Sequence, residues 1–416
     1  MTRLLSPRSS FSTFHSSSIS PYLPVTSPRR MSPLTISFRN GSCFWLFYRE
    51  EQPARNTESA FILYIILFLL TLASCSSPAP ASSSSGEVAL YVYRLDPPAL
   101  LRFAADRSSV ESEIPFQSVP GCSLTGLYPS PDLDLLAAEY ACPNGPVSLL
   151  FSPAQGTTHF LINDPAVDSH FLAFAADGRS AYLRVNSMAD PRILRVEVGT
   201  LRAKEIPIDP YTYDLSASPD GKRVLFSFSH GIGLGSEMWL AHPDGRGGKR
   251  LLADPGNILA FARWSPDGKQ IAFIKIPDTQ SPYSVGELWV MDADGSDLRK
   301  LADADAGHGY AAAWSPDGER LAFVVRTNPE DPRADQLLDA LISNIAVVDV
   351  RSGVVTPVTR FTRGRTETPL WSPDGNTLGF TFVVDGRMDV LFSDLAGGAE
   401  SSLLGESVCC PVWMRK

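Results

Sequence analysis

Short runs of alternating apolar and polar residues fill the chain from residue 120 onward, and the same turn sequence interrupts them. Trp-Ser-Pro-Asp-Gly stands at residues 264–268, 314–318 and 371–375, and Ser-Pro-Asp-Gly stands at 218–221. Pro sets φ at the first corner of such a turn, Asp can hydrogen-bond its own backbone, and Gly accepts the positive φ that begins the return strand. Each repeat is therefore predicted to be a β-hairpin with a tight turn.

The return strand shows a period of two. In the repeat at 264–268, Ile271, Phe273 and Lys275 are expected on one face of the strand. Ala272 and Ile274 are expected on the other face, because successive side chains of a strand point to opposite sides.

The hairpin recurs at a regular interval. Weaker copies at residues 128–132 and 174–178 bring the total to six, and the turn aspartates occupy positions 132, 177, 220, 267, 317 and 374. The steps between them are 45, 43, 47, 50 and 57 residues. Self-similarity at this period is typical of the four-stranded blades of a β-propeller, so the predicted fold is all-β.

The two ends of the repeat region complete each other. Residues 87–118 resemble the second, third and fourth strands of a blade that lacks its first strand, and residues 410–413 match the stretch that opens the sixth repeat. A C-terminal first strand that joins N-terminal outer strands closes the ring and leaves only short, protected edges. Six complete repeats and one split repeat predict seven blades. Six blades remain the alternative if one repeat is an irregular insertion.

The repeat Trp-Ser-Pro-Asp-Gly-x-x-Leu/Ile-Ala-Phe, followed in one blade by residues 287–296, resembles the WD-like repeats of the TolB-type β-propeller superfamily. The resemblance covers residues 120–416, is sharpest over 212–382, and implies an envelope-facing scaffold role. TolB itself is a soluble periplasmic protein with an extra N-terminal domain, for which this chain leaves no room, so its specific role is not transferred. Propellers of prolyl-oligopeptidase-like peptidases share these repeats, but the Gly-x-Ser-x-Gly elbow of their hydrolase domain does not occur in this sequence.

The first 86 residues differ in character from the repeats. Residues 1–57 are rich in Ser, Pro and Arg and are expected to be a disordered or mis-assigned extension. Residues 58–75 contain a short apolar run and end in Leu-Ala-Ser-Cys, which resembles a bacterial lipobox and implies a diacylated Cys75. Residues 76–86 would be a Ser/Pro-rich tether, and 87–416 the propeller. An ordinary signal peptide or signal anchor is the alternative.

Charge limits the range of partners. The first 74 residues contain seven Arg and three Glu, so the rest of the chain contains 29 basic and 42 acidic side chains, a formal net charge of −13. An acidic body argues against nucleic acid as the main partner. The lipobox predicts a lipid-anchored protein on the extracytoplasmic side of the cell membrane, and we expect a monomer.

Four cysteines remain after Cys43 and Cys75 are set aside. Strand direction places Cys122, Cys142, Cys409 and Cys410 on one face of the ring, at the seam where the chain ends meet. An oxidising compartment would allow them to form disulfides. The favoured pairing joins the 409/410 pair to 122 and 142. A vicinal bridge and four free thiols are the alternatives.

No motif in the sequence predicts a catalytic, metal or cofactor site. The six His residues show no metal-ligand spacing. Residues 292–297 have Gly at the wrong position for a calcium loop and predict a turn. The Gly-rich residues 231–236 predict a loop, and the repeated Trp residues 264, 314, 371 and 413 predict packing between blades.

The connections between second and third strands vary in length, whereas the Asp-Gly turns are uniform. Variable loops on a rigid scaffold usually provide the binding surface. Candidate binding residues on this face are Tyr211, Tyr213, Tyr283, His308, Tyr310, Asp331, Arg333 and Asp335. We therefore expect a module that binds or scaffolds an envelope protein. The alternative is a small-molecule or sugar-binding propeller, or a propeller enzyme, with a site at the central channel.

Overall fold

The computed structural model describes residues 87–416, apart from 165–166, 187–188, 282, 306–309, 396–400 and 403–406. The predicted N-terminal extension, signal peptide and tether, with Cys75, lie outside the described residues, as does His308.

The described chain forms 28 strands and two short 3₁₀ helices. The strands are β1 (Val88–Arg94), β2 (Ala99–Phe103), β3 (Val110–Pro115), β4 (Ser123–Pro129), β5 (Leu136–Ala141), β6 (Val147–Ser152), β7 (Thr157–Phe160), β8 (Ser169–Phe174), β9 (Ser180–Val185), β10 (Arg192–Glu197), β11 (Ala203–Glu205), β12 (Thr212–Ala217), β13 (Val224–Phe228), β14 (Ser236–Ala241), β15 (Lys249–Asp254), β16 (Asn257–Trp264), β17 (Gln270–Pro277), β18 (Val285–Asp292), β19 (Arg299–Asp305), β20 (Ala313–Trp314), β21 (Arg320–Arg326), β22 (Ser343–Asp349), β23 (Val355–Pro357), β24 (Arg365–Trp371), β25 (Thr377–Val384), β26 (Arg387–Asp394), β27 (Ser401–Ser402) and β28 (Val408–Arg415). The 3₁₀ helices are η1 (Pro332–Asp335) and η2 (Leu338–Ala340).

These strands form seven four-stranded antiparallel sheets, which are the blades of a propeller. Blade 1 has the order β28-β1-β2-β3, and blades 2 to 7 each use four consecutive strands, from β4–β7 to β24–β27. The C-terminal strand β28 pairs with β1 from Val88↔Arg415 to Arg94↔Val408. The predicted seven-bladed ring and its closure by the C-terminal strand are confirmed, and the six-bladed alternative is wrong.

The second strand of each blade is buried on both faces. In β17 the residues Ile271, Ala272, Phe273 and Ile274 are all buried, so the alternation in sequence does not separate a core face from a solvent face. The reason is the ring itself, because each sheet packs against a neighbouring blade on both sides and so has two apolar interfaces.

Four tryptophans connect neighbouring blades through a repeated hydrogen bond. Each indole N–H donates to a backbone carbonyl on the first strand of the preceding blade, at 2.9 to 3.2 Å. The pairs are Trp264 with Ser216, Trp314 with Arg263, Trp371 with Ala313, and Trp413 with Trp371. The predicted inter-blade packing is confirmed, and the tryptophans also satisfy a backbone acceptor at each of these interfaces.

The Asp-Gly turns share one hydrogen-bond pattern. In the repeat at 265–268, Ser265 Oγ donates to Asp267 Oδ1 at 2.7 Å, and Asp267 Oδ1 accepts the Lys269 amide at 3.1 Å. The same Ser–Asp contact occurs in the turns at residues 130, 218, 315 and 372. Gly268 follows with a φ of 69°, as expected for the start of the return strand.

Candidate functional site at the channel mouth

Strand direction gives the ring two different faces. The turn face holds the uniform connections between first and second strands, whereas the loop face holds the second-to-third-strand loops and the linkers between blades. Glu87 lies on the turn face, because its carbonyl accepts the Lys416 amide at the end of β28 at 2.9 Å. The described chain therefore begins on the face opposite the variable loops.

A central cavity of about 980 Å³ opens on the loop face. Residues from the first strand, or the segment leading into it, contribute to its wall in all seven blades. Among these are Leu124, Phe171, Tyr213, Phe261, Tyr310, Thr368 and Cys410. We call this opening the channel mouth.

A β-bulge interrupts the first strand near the channel mouth in six blades. The register with the second strand shifts between Leu124 and Gly126, for example, and between Glu367 and Leu370. Further shifts interrupt β8, β12 and β16 and the pairing of β1 with β28. Bulges redirect side chains and leave backbone groups unpaired. Phe261 and Thr368 adopt positive φ of 57° and 50° at these positions.

Carboxylates from the preceding blade accept some of the bulge amides. The Phe171 amide donates to Glu139 Oε2 at 2.7 Å, and the Ala262 amide donates to Asp214 Oδ2 at 2.6 Å. Asp214 is buried. These two carboxylates therefore have a structural role, because a backbone donor away from water needs an acceptor.

Two arginine–carboxylate pairs lie in the wall of the channel mouth. Arg263 Nη1 lies 2.9 Å from Asp214 Oδ1, and Arg365 Nε lies 2.8 Å from Glu367 Oε1. Tyr310 lies beside the second pair, and burial together with the Glu367 charge raises its pKa. Its phenol therefore stays protonated.

Aromatic rings form much of the remaining wall. The rings of Tyr128 and Phe171 stack with centroids 5.0 Å apart. Burial and then the nearby Glu139 charge raise the pKa of Tyr128 to about 12. Tyr213 donates from its hydroxyl to the Leu259 carbonyl at 2.8 Å, which fixes its ring against blade 5.

Two loops beside the channel mouth are joined into one unit, which we call the loop platform and define as the described residues 278–281, 283–284 and 327–342. Arg326 links them, since Nη1 donates to Asp335 Oδ1 at 2.6 Å and Nη2 donates to the Tyr283 carbonyl at 2.9 Å. The Tyr283 amide donates to the Asp335 carbonyl at 3.2 Å. Tyr283 and Leu338 reach the wall of the cavity, so the platform adjoins the channel mouth.

A third loop presents apolar side chains to solvent on the same face. Ile232 and Leu234 are 73% and 65% exposed in the Gly-rich loop between β13 and β14. The base of this loop is held in place, because Ser229 Oγ donates to the Gly235 carbonyl at 2.6 Å and the Gly235 amide donates to Asp278 Oδ2 at 2.7 Å. The predicted loop is therefore ordered at its base and apolar at its tip.

The cysteines meet at the seam but pair differently from the favoured expectation. The structure contains the disulfides Cys122–Cys142, with Cα atoms 4.4 Å apart, and Cys409–Cys410, with Cα atoms 3.7 Å apart. The expected cross-pairing is wrong because Ser123 and Ala141 are opposite each other in the β4–β5 hairpin, which brings the cysteines next to them together. All four pack against one apolar cluster between blades 1 and 2.

The predicted binding residues that the structure describes lie in four different settings. Tyr213, Tyr283 and Tyr310 line the channel mouth, and Tyr211 is an exposed side chain next to β12. Asp331 and Arg333 form an exposed ion pair at 2.7 Å, whereas Asp335 holds Arg326. The binding role of all eight residues, including His308, therefore stays a prediction.

The sequence reading did not identify the charged residues of the channel mouth. These residues lie on the first strands of their blades, for which the sequence predicted mainly apolar packing. They are Asp214, Arg263, Arg365 and Glu367. Arg263 directly precedes the repeated Trp. A charged residue at that position of a buried strand was the feature of the sequence that could have indicated a side chain facing the channel. The bulges that turn these side chains toward the channel have no signature in the sequence.

Within the described residues, no His, Cys, Asp or Glu side chains group in threes as they would to hold a metal ion. None of the helices in that part of the chain is long and apolar enough to span a membrane.

No family profile and no curated protein matches the sequence. Several solved protein structures, however, are similar to this one. An oligogalacturonate lyase in complex with manganese has 17% sequence identity and a TM-score of 0.53, with 72% of this chain and 83% of that chain covered. A protein described as a putative 6-phosphogluconolactonase from Bacteroides uniformis has 15% identity and a TM-score of 0.51, with coverages of 80% and 100%.

TolB from Acinetobacter baumannii is also similar, at 16% identity and a TM-score of 0.49, with 85% of this chain and 71% of that chain covered. At these identities the comparisons show the fold alone. The protein is a seven-bladed β-propeller.

Proposed function

We propose that residues 87–416 act as a protein-binding or scaffolding module of the bacterial cell envelope, held to the membrane by a lipid on Cys75. The observation that supports this function best is the loop platform beside the channel mouth. Arg326, whose side chain is only 1% exposed, joins two variable loops into one ordered surface. Such an ordered surface can bind a partner with little loss of loop entropy.

The difference between the two faces supports the choice of surface. The turn face repeats one Ser–Asp hydrogen bond in five blades. The loop face instead varies from blade to blade and presents Tyr211, Ile232, Leu234 and Leu337 to solvent. Exposed aromatic and aliphatic side chains in a polar surround are common anchors at protein interfaces.

One observation supports an extracytoplasmic location, and another supports the proposed attachment. The two disulfides are typical of proteins that fold in an oxidising compartment. The described chain begins at Glu87 on the turn face, so attachment through residues 76–86 leaves the loop face accessible to a partner.

The anchor can be tested by intact-mass analysis of the mature protein from membranes. The proposal predicts a chain that begins at a lipid-modified Cys75, and a Cys75→Ala variant that leaves the membrane fraction. Cys43→Ala is the matched control and should not change the location. A mature protein that retains residues 1–74 would contradict the anchor.

The binding surface can be tested by replacing residues 327–341 with a short turn. Affinity capture from detergent-solubilised membranes should recover a stoichiometric envelope protein with the wild type but not with this variant. A variant in the turn at residues 351–354 on the turn face is the control. If every interaction survives the loop replacement, the loop platform is not the binding surface.

A further inference from the structure

Two guanidinium groups at the channel mouth have hydrogen-bond donors that no described residue uses. Arg263 donates only through Nη1, to Asp214 at 2.9 Å and to the Ala262 carbonyl at 2.8 Å, so its Nε and Nη2 lack a partner in the described chain. Arg365 donates only through Nε, to Glu367, which leaves both of its terminal nitrogens without a described acceptor. The two side chains are 36% and 13% exposed, and both line the cavity.

The carboxylates of the same wall are already engaged. Asp214 accepts from Arg263 with one oxygen and from the Ala262 amide with the other. Glu139, which lies behind this wall, accepts from the Phe171 amide at 2.7 Å, and its second oxygen lies 3.5 Å from His170 Nδ1. Glu367 holds Arg365 and lies beside Tyr310. The channel mouth therefore offers spare donors to a ligand and few spare acceptors.

We propose that the channel mouth binds a carboxylate group, held by the free guanidinium edges of Arg263 and Arg365. The inference rests on the proposed function to the extent that both use the loop face, and it adds the chemistry of the ligand. Guanidinium matches a carboxylate well, because two parallel N–H groups can donate to its two oxygens.

Charge favours a monoanion over a phosphate dianion. Asp214 and Glu367 balance the two guanidinium groups, so this part of the wall has a formal net charge of zero before a ligand binds. Placing two negative charges there is opposed by both carboxylates, whereas a single negative charge can use the spare donors with less repulsion.

The aromatic side chains of the wall indicate which chemical group carries the carboxylate in the ligand. Tyr128 and Phe171 stack on each other within the same cavity, which Phe261 and Tyr213 also line. Such rings pack against a sugar ring or an apolar side chain while the polar edge of the ligand meets the arginines. A uronic acid and the C-terminal residue of a peptide both have this shape and charge.

Calorimetric titration with matched probe pairs tests the proposal. One pair is glucuronate and glucose, and the other is the tripeptide N-acetyl-Gly-Tyr-Phe as free acid and as C-terminal amide. At least one acid should bind, and its neutral counterpart should bind at least about tenfold more weakly, since a charge-assisted hydrogen bond is lost. The pair that responds identifies the source of the carboxylate, and inorganic phosphate should bind more weakly than the acid.

Variants assign the binding to the two arginines. Arg263→Gln and Arg365→Gln should each weaken binding of the acid about tenfold or more. Arg363→Gln removes the same charge from a 75% exposed side chain in the linker before β24 and should change affinity less than about twofold. If Arg263→Gln does not fold, the double variant Asp214→Asn/Arg263→Gln removes the pair without leaving a buried charge.

Equal binding of the acid and neutral probes, or no binding of either acid, would overturn the inference. Equal loss of affinity in Arg363→Gln and Arg365→Gln would overturn it as well. These outcomes leave the proposed function intact if an envelope protein is still captured through the loop platform. If the wild-type protein captures no envelope protein and neither acid binds in the titrations, both proposals are wrong.

Discussion

At the scale of single residues, the channel mouth depends on a glycine that makes room for a tyrosine. A Cβ atom at Gly126 would lie 2.6 Å from Cζ of Tyr128 and would also clash with its hydroxyl. The bare Cα therefore lets the Tyr128 ring lie along β4 and stack on Phe171. The absence of a side chain at Gly126 thus determines the position of one aromatic ring in the cavity wall.

Gly126→Ala should lower the free energy of unfolding by about 1–3 kcal/mol, because the ring of Tyr128 must move from a packed position. Gly199→Ala is the control, since no atom lies within 4 Å of the Cβ it would add. Urea unfolding monitored by tryptophan fluorescence measures both changes. Equal effects of the two substitutions would show that Gly126 does not have this packing role.

The turn aspartates give the fold a sensitivity to acid. Hydrogen bonds from Lys269 and Ser265 lower the pKa of Asp267 from 3.8 to about 2. Because the folded pKa is below the unfolded one, the contribution to stability is complete above pH 3.8 and is lost as the pH falls toward 2.

Asp267→Asn should therefore reduce the slope of stability against pH between pH 4 and pH 2, where the wild-type turn takes up a proton. Thermal unfolding at a series of pH values measures this slope. Parallel curves for the variant and the wild type would contradict the linkage, whatever the offset between them.

The sequence predicted the conformation of the turns correctly but favoured the wrong pairing of the four cysteines. The Ser-Pro-Asp-Gly turns are local, so their hydrogen bonds follow from residues within a few positions of each other. The pairing of Cys122 with Cys142 depends instead on the register of β4 against β5, which spacing alone does not determine. Arg263 and Arg365 were missed because bulges, not the hydrophobic pattern, aim them at the channel.

At the scale of elements, the most specific feature is the loop between β21 and β22. The sequence predicted a long charged loop, and the structure adds η1 and η2 within it. Asn328 closes the base of the loop, since its side-chain amide donates to the Ala340 carbonyl and its Oδ1 accepts the Ile342 amide, each at 2.9 Å. Arg326 then joins the loop to blade 5.

Arg326→Gln should lower the free energy of unfolding by about 3–5 kcal/mol, because it removes a buried guanidinium that joins the two loops and lies 3.8 Å from the fully buried Asp305 carboxylate. It should also increase amide hydrogen exchange in both parts of the loop platform. Arg333→Gln is the control from the same loop, since its side chain is 74% exposed and its pair with Asp331 is worth only about 0–1 kcal/mol. Similar losses in the two variants would contradict the linking role of Arg326.

At the scale of the whole molecule, the ring is closed by one strand from the far end of the chain. Strand β28 pairs with β1, and Trp413 donates to the Trp371 carbonyl of blade 7 at 2.9 Å. The sequence predicted this closure because the C-terminal stretch matches the start of the other repeats. The ring has no open sheet interface while β28 is in place.

Deletion of residues 407–416 should abolish cooperative unfolding, because it removes the first strand of blade 1 and exposes apolar faces of two blades. Deletion of Lys416 alone removes its ion pair with Glu87 at 2.8 Å and one backbone hydrogen bond at the end of β28, and should have little effect. Differential scanning calorimetry distinguishes the two cases. A cooperative transition in the longer deletion would show that the ring does not depend on β28.

The central claim is that this propeller acts through its loop face. Site-specific photo-crosslinking in cells tests it most directly, with the crosslinker at Arg333 or Leu337 on the loop face and at Lys269 or Val354 on the turn face. All four side chains are well exposed, so accessibility does not bias the comparison. The account predicts a discrete envelope-protein adduct from the loop-face positions only. Adducts from the turn face, or equal labelling from both faces, would contradict it.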